Sequence, residues 1–237
     1  MTSIISSFTS SQIKSLSPKT IRELSAEDIA GLSPEQLKNL SKDQVAALEA
    51  EDIQALSSTQ LGAISTSAIA GLKPELLAVL DAAKIASLGK DQLAAFSATQ
   101  IASLTPDQIE GLTVDQIKGL SATQIASIGP DDIIKFTPDE VAAITPQAIS
   151  GLKRETIAAL SDEQIAKLSA DQIKALTAQQ MPGFSAAQLG TFSAVQMGAL
   201  TATQVGALST LQIVGFSGSQ IGQLSTAAIA GLKATQI

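Results

Sequence analysis

The stretch LTPDQIEG-LTVDQIKG-LSATQIAS, residues 104–127, is one eight-residue phrase written three times. Each copy opens on Leu, continues with Ser or Thr, and places Gln three residues later with Ile directly behind it. Let position 1 of the octad be every residue whose number divides by eight. All 29 such positions, from Phe8 and Leu16 to Leu224 and Leu232, hold Leu, Ile or Phe, and all six Phe of the chain fall there. Position 6, from Ile5 and Ile13 to Ile229 and Ile237, is Ile, Leu, Val or Met at all 30 occurrences. The register never slips across the 237 residues. The expected organisation is therefore one continuous octad-repeat solenoid over 1–237, of about 29 octads.

An unbroken helix cannot carry this pattern. Eight residues at 100° each overshoot two full turns by about 80°, so position-1 side chains would wind around the helix and share no face. A coiled coil, which needs a 3.5-residue spacing, fails for the same reason. The helix must break in every octad, and the residue types show where. Position 2 is Ser or Thr in 22 of 30 octads, with Asp81, Gly89 and Gly129 as other acceptable caps. Position 5 is Gln in 18 of 30, which completes a capping box. Seven of the eight prolines (Pro18, Pro34, Pro74, Pro106, Pro130, Pro138 and Pro146) sit at position 3, the first helical residue, where a missing N–H does no harm. Eight of the 16 glycines, Gly31 and Gly71 among them, sit at position 8, where a left-handed residue would end the turn.

Each octad thus reads as a helix of about four to seven residues followed by a redirection. Positions 6 and 1 lie three residues apart and share the one apolar face an octad owns. So short a helix is unstable alone, so octads must stack. The expected fold class is all-α: a solenoid or superhelix of short capped helices, one per repeat. A β-solenoid is the competitor. It is disfavoured by apolar spacings of five and three rather than two, and by proline at the first helical position. A slower rhythm overlies the octads: Ala68, Ala148 and Ala228 replace Gln at intervals of 80 residues, each followed by Gly71, Gly151 or Gly231. Segmental duplication explains it, as does a geometric feature of the superhelix.

Composition excludes much chemistry. The chain has no Cys and no His, so thiol and imidazole catalysis, zinc clusters and disulfides are unavailable. Net charge is −7, and the basic residues form no stripe, so no nucleic-acid partner is expected. No apolar run is long enough for a membrane span, and MTSIISSFTSSQIK has no export-signal pattern. The acidic pairs Asp131-Asp132 and Asp139-Glu140 sit where helix starts favour negative charge, and capping accounts for them. Lys14, Arg22, Lys38, Lys118 and Lys174 at position 7 complement helix C-termini. The Gln column admits a ladder or a sugar-binding face as alternatives to capping. No catalytic, cofactor-binding or metal site is expected, and the chain is read as no enzyme.

One asymmetry does not follow from the repeat. Residues 177–237 carry a single charge, Lys233, and Pro182 is the only proline away from position 3. Charge is excluded from surfaces that another molecule covers. Self-association is the expectation, end to end or side to side through 177–237, with exposed third positions such as Ala186, Ala194 and Ala202 at the lateral contact. The chain stops at Ile237, itself a core position, without a polar closing repeat, which reads as a segment of something longer or a subunit that continues the stack.

The tandem octads LTPDQIEG, LTVDQIKG and LSATQIAS resemble the L-[S/T]-x-x-Q-[I/V]-x-[A/G] arrays of very large proteobacterial secreted or surface proteins of adhesin-like type. The resemblance covers essentially the whole chain and brings no site residue with it. It implies an extracellular or cell-surface location and a structural or adhesive role: stalk, filament or adhesin body. The alternative is a solenoid scaffold that binds a protein, peptide or glycan.

Overall fold

The computed structural model describes residues 4–236, so the expectation for Ile237 lies outside the described residues. The backbone forms two compact units, residues 1–119 and 120–237, and each obeys the same internal rules. Among the described residues there is no strand; the chain is a succession of helices of three to six residues. Each unit is an all-α solenoid of short capped helices in sequence order.

The local signals act as their chemistry requires. In the helix Pro106–Glu110 the Thr105 hydroxyl accepts the N–H of Gln108, and Gln108 Oε1 accepts the N–H of Thr105 at 2.8 Å. The same reciprocal pair starts Pro34–Lys38, Val114–Lys118 and Asp162–Ala166. The next residue at position 1 leaves the helix. Leu56, Leu176 and Leu200 end their helices at ψ 134°, 137° and 135°, extended backbone that turns the chain into the following cap. Position-6 and position-1 side chains then point inward and are buried in nearly every internal octad; Ile117, Leu120, Ile165 and Leu168 are typical. Each such Leu or Ile contributes roughly 1.5–3 kcal/mol of burial, which no isolated five-residue helix could gain.

Three expectations need correction. Position-8 glycines do not end helices in the left-handed region: no described glycine has positive φ, and Gly31, Gly111 and Gly119 lie at φ −76°, −80° and −83°. Their role is close approach. A Cβ on Gly111 would stand 3.0 Å from Ala82 Cβ, and one on Gly183 would stand 2.9 Å from the Arg154 carbonyl oxygen. At Gly71, Gly151 and Gly231 it would overlap the carbonyl oxygens of Lys42, Ala122 and Ala202 outright. These three follow Ala68, Ala148 and Ala228, where the long Gln side chain is missing and the coils draw together. The 80-residue rhythm therefore has a geometric counterpart.

The second correction concerns the octad 176–183, which forms no α-helix. Pro182 falls where an inner N–H is needed, and the segment instead closes as a 3₁₀ turn, Met181–Gly183. The third concerns position 3. Ala186 and Ala202 are half-buried because position-8 glycines of a later coil, Gly215 and Gly231, pack on them. Of the three alanines only Ala194 is exposed.

Stacking does not join adjacent octads. Arg154 Nε donates to the carbonyl of Gln179, 25 residues on, and Thr210 Oγ1 to that of Thr235, also 25 on. Gln44 Nε2 reaches back 28 and 31 residues, to Leu16 and Ile13. One coil therefore takes three to four octads, and each helix seats over the joint between two helices of the coil before.

Candidate functional site

The feature that most distinguishes these units is the Gln column at position 5. A capping box needs only the Oε1 of its Gln. The amide nitrogen is left over, and it crosses to the preceding coil. Gln108 Nε2 donates to the carbonyls of Leu77 (2.7 Å) and Leu80 (2.5 Å); Gln116 Nε2 donates to Ile85 and Leu88, both at 2.8 Å. In the second unit Gln172 Nε2 holds Val141 (3.0 Å) and Ile144 (2.7 Å), and Gln196 holds Ile165 (2.7 Å) and Leu168 (3.0 Å). The acceptors of these four are positions 6 and 1, carbonyls at the C-terminal end of a broken helix; Gln60 takes position 7, Ala30, in place of position 6. One side chain thus caps the start of its own helix and the end of another. These glutamines are buried, and every donor and acceptor on them is used. The Gln column is both cap and ladder, and these buried glutamines keep no free polar group for sugar recognition.

Acids replace Gln at four ladder positions. Asp132 Oδ2 accepts the Gly129 N–H at 3.0 Å, and Glu140 Oε2 accepts the Thr137 N–H at 2.7 Å. Asp139 pairs with Lys167 at 2.9 Å. Asp132 and Glu140 thus cap their helices, and Asp139 is engaged in surface pairing. Among the described residues no group of three metal-ligating side chains converges. Asp52 is the most enclosed acid, 4% exposed, with Oδ2 on the Glu49 N–H at 2.9 Å. Burial pushes its carboxyl above the ordinary range, opposed by the Glu49 N–H and reinforced by the charges of Glu49 and Glu51.

The uncharged stretch is not one flat face. Gln204 reaches back to Ile173 and Leu176, and Gln236 to Val205 and Leu208, so residues 177–236 make about two coils and form a band around the second unit. The band carries four of the six exposed large apolar side chains among the described residues: Val195, Leu211, Val214 and Ile229. Leu211 and Val214, 76% and 73% exposed, stand three residues apart on one face of the helix Thr210–Val214. The surface also has open grooves between coils. One of about 500 Å³ runs past Glu35, Lys38 and Gly62, and one of about 440 Å³ past Asp171, Lys174 and Gly198. These residues occupy equal octad positions in the two units, so the grooves are products of the repeat.

The ALTTAQ repeat model matches the chain twice in tandem, at residues 45–82 and 85–122. The two matches begin 40 residues apart, which is five octads, so the matched unit is a whole number of the repeats described above. No curated protein matches the sequence. The tandem match and the fold agree on the same statement: this chain carries a repeat tract, built as an α-solenoid.

Proposed function

We propose that the chain is a non-enzymatic structural module of a bacterial extracellular or cell-surface protein, a length of stalk, filament or adhesin body that self-associates. The Gln ladder is the observation that supports this reading. Polar groups that a binding or catalytic site would aim outward are here spent on fastening coil to coil. The ladder also extends without limit in one direction, since each added octad brings a Gln that donates back to the coil before it. The resemblance to adhesin-like arrays supports a surface location, and the uncharged band supports self-association. Light scattering across a concentration series tests the second: the expected result is a mass that rises with concentration, and a monomer throughout refutes it. Labelling of intact cells with an antibody to the chain tests location, and label seen only after lysis refutes the surface reading.

A binding scaffold is the second reading, favoured by Leu211 and Val214 standing exposed in the band. It predicts saturable capture of a protein, peptide or glycan, lost on Leu211→Lys with Val214→Glu while the helical signal is unchanged.

A further inference from the structure

We infer that Asp52 is a proton-dependent fastener in the ladder: protonated, it closes the joint between its helix and the coil beneath, and ionised, it leaves that joint open. The argument starts from register. Every ladder Gln around it donates to the carbonyls 28 and 31 residues earlier, or their immediate neighbours: Gln44 to Leu16 and Ile13, Gln60 to Leu32 and Ala30. Asp52 occupies the same position in the helix Ala50–Ala55, so its carboxyl belongs opposite the joint at Ile21 and Leu24. A carboxylate has only acceptor oxygens, and it would there confront carbonyl oxygens. A neutral carboxyl keeps one oxygen for the Glu49 N–H and offers an O–H to the coil beneath, which is the division of labour in Gln.

The surroundings supply no counter-charge at the carboxyl. Its own helix and cap bring Glu49 and Glu51. The helix Ala26–Ala30, which packs against it, brings Glu27 and Asp28. The chain beneath brings Arg22 and Glu23. From the following coil come Glu75, on Pro74–Leu77, and Lys84, whose Nζ is committed to the Gln54 carbonyl. Among the described residues Asp52 makes no ion pair. Burial at 4% exposure and acidic company both favour the neutral form, in line with the raised carboxyl.

The sign follows by linkage. The folded state holds this proton more tightly than the unfolded chain, so the joint is strongest in acid. It weakens as pH rises from the ordinary carboxylate value through the raised folded one. A surface module of this kind would stiffen on acidification, the reverse of the usual aspartate.

The test uses the full chain, with melts of the parent, Asp52→Asn and Asp52→Gln from pH 3 to 8. Both variants carry the missing donor at every pH. They are expected to melt above the parent at pH 7, with the gap closing as the pH falls to 4 and below. A gap that is constant with pH, or widest in acid, overturns the inference. If neither variant folds, the carboxyl carbon shift of Asp52 is followed by NMR in the parent: a midpoint above that of the exposed aspartates supports the proposal, and one at or below theirs overturns it. Hydrogen exchange of the amides of residues 21–24 and 50–55 is expected to slow relative to the Gln-fastened residues 77–80 and 106–110 as the parent is acidified. Equal responses in the two regions contradict it.

Discussion

Replacing Gln172 by Ala, with and without Ala175→Gly, measures what the ladder contributes and why glycine follows a missing rung. Gln172 is 1% exposed; its Oε1 accepts the Ser169 N–H at 2.9 Å and its Nε2 donates to Val141 and Ile144. The Val141 carbonyl keeps the N–H of Ile144 at 3.2 Å, so the variant strips the Ser169 N–H and the Ile144 carbonyl of these bonds. At about 1–3 kcal/mol per buried group left unsatisfied, plus lost side-chain packing, the expected cost is about 3 kcal/mol. For a chain of this size that is roughly 6–12 °C of melting temperature. Ala175→Gly alone should cost up to about 1 kcal/mol through backbone entropy. Combined with Gln172→Ala it should cost less or stabilise, because the coils can then close as they do at Ala68 with Gly71 and Ala228 with Gly231. Urea denaturation of the four-member cycle gives the coupling directly. Additive effects within about 0.3 kcal/mol would show that the Ala–Gly pairing has no energetic basis and reflects copying alone.

Other predictions concern spacing, register and charge. Gly151→Ala should lower the melting temperature by several degrees, since its Cβ would overlap the Ala122 carbonyl, whereas Gly222→Ala meets nothing within 4 Å and should be neutral or stabilising by up to about 1 kcal/mol. Deleting the octad Leu112–Gly119 should leave a cooperatively melting chain, because a whole repeat is removed and every remaining cap, Gln and core position keeps its phase. Deleting Val114 alone breaks the octad's phase and shifts by one residue the crossings that span it, such as Gln116 to Ile85 and Leu88, and should cost far more; melts that rank the two the other way refute the octad as the structural unit. Gln172→Glu should be costlier than Gln172→Ala at pH 7 and recover in acid as the buried carboxyl takes up a proton, which a pH series of melts checks.

The helices, their caps and their buried columns are legible in the sequence because each is a local matter. Ser or Thr, Pro and Gln specify where a helix begins, and positions 6 and 1 specify what it buries. Coil length was not legible, because it depends on the angle at each extended position-1 residue, and that angle repeats without leaving a residue signature of its own. The glycines misled for a related reason. A residue without Cβ serves a left-handed turn and a close backbone contact equally well, and only the neighbour 29 residues earlier, Ala122 for Gly151, decides between them.

The ladder itself had left a trace. A capping box takes Glu as readily as Gln, and near a helix start the macrodipole prefers the acid. Yet position 5 holds Gln in 18 octads and Glu only at Glu140. Capping cannot account for that preference; a need for a donor at the same atom position can. Glu140 is only half-buried, so water can reach its carboxylate in place of a missing donor, while Gln164, Gln172 and Gln180 close by are buried. The amide is therefore kept where water cannot reach, and the burial it survives is possible only because both of its ends are bonded. The same reasoning makes Asp52 the exception to examine: a buried rung whose end is an acid, which can complete the ladder only by holding its proton.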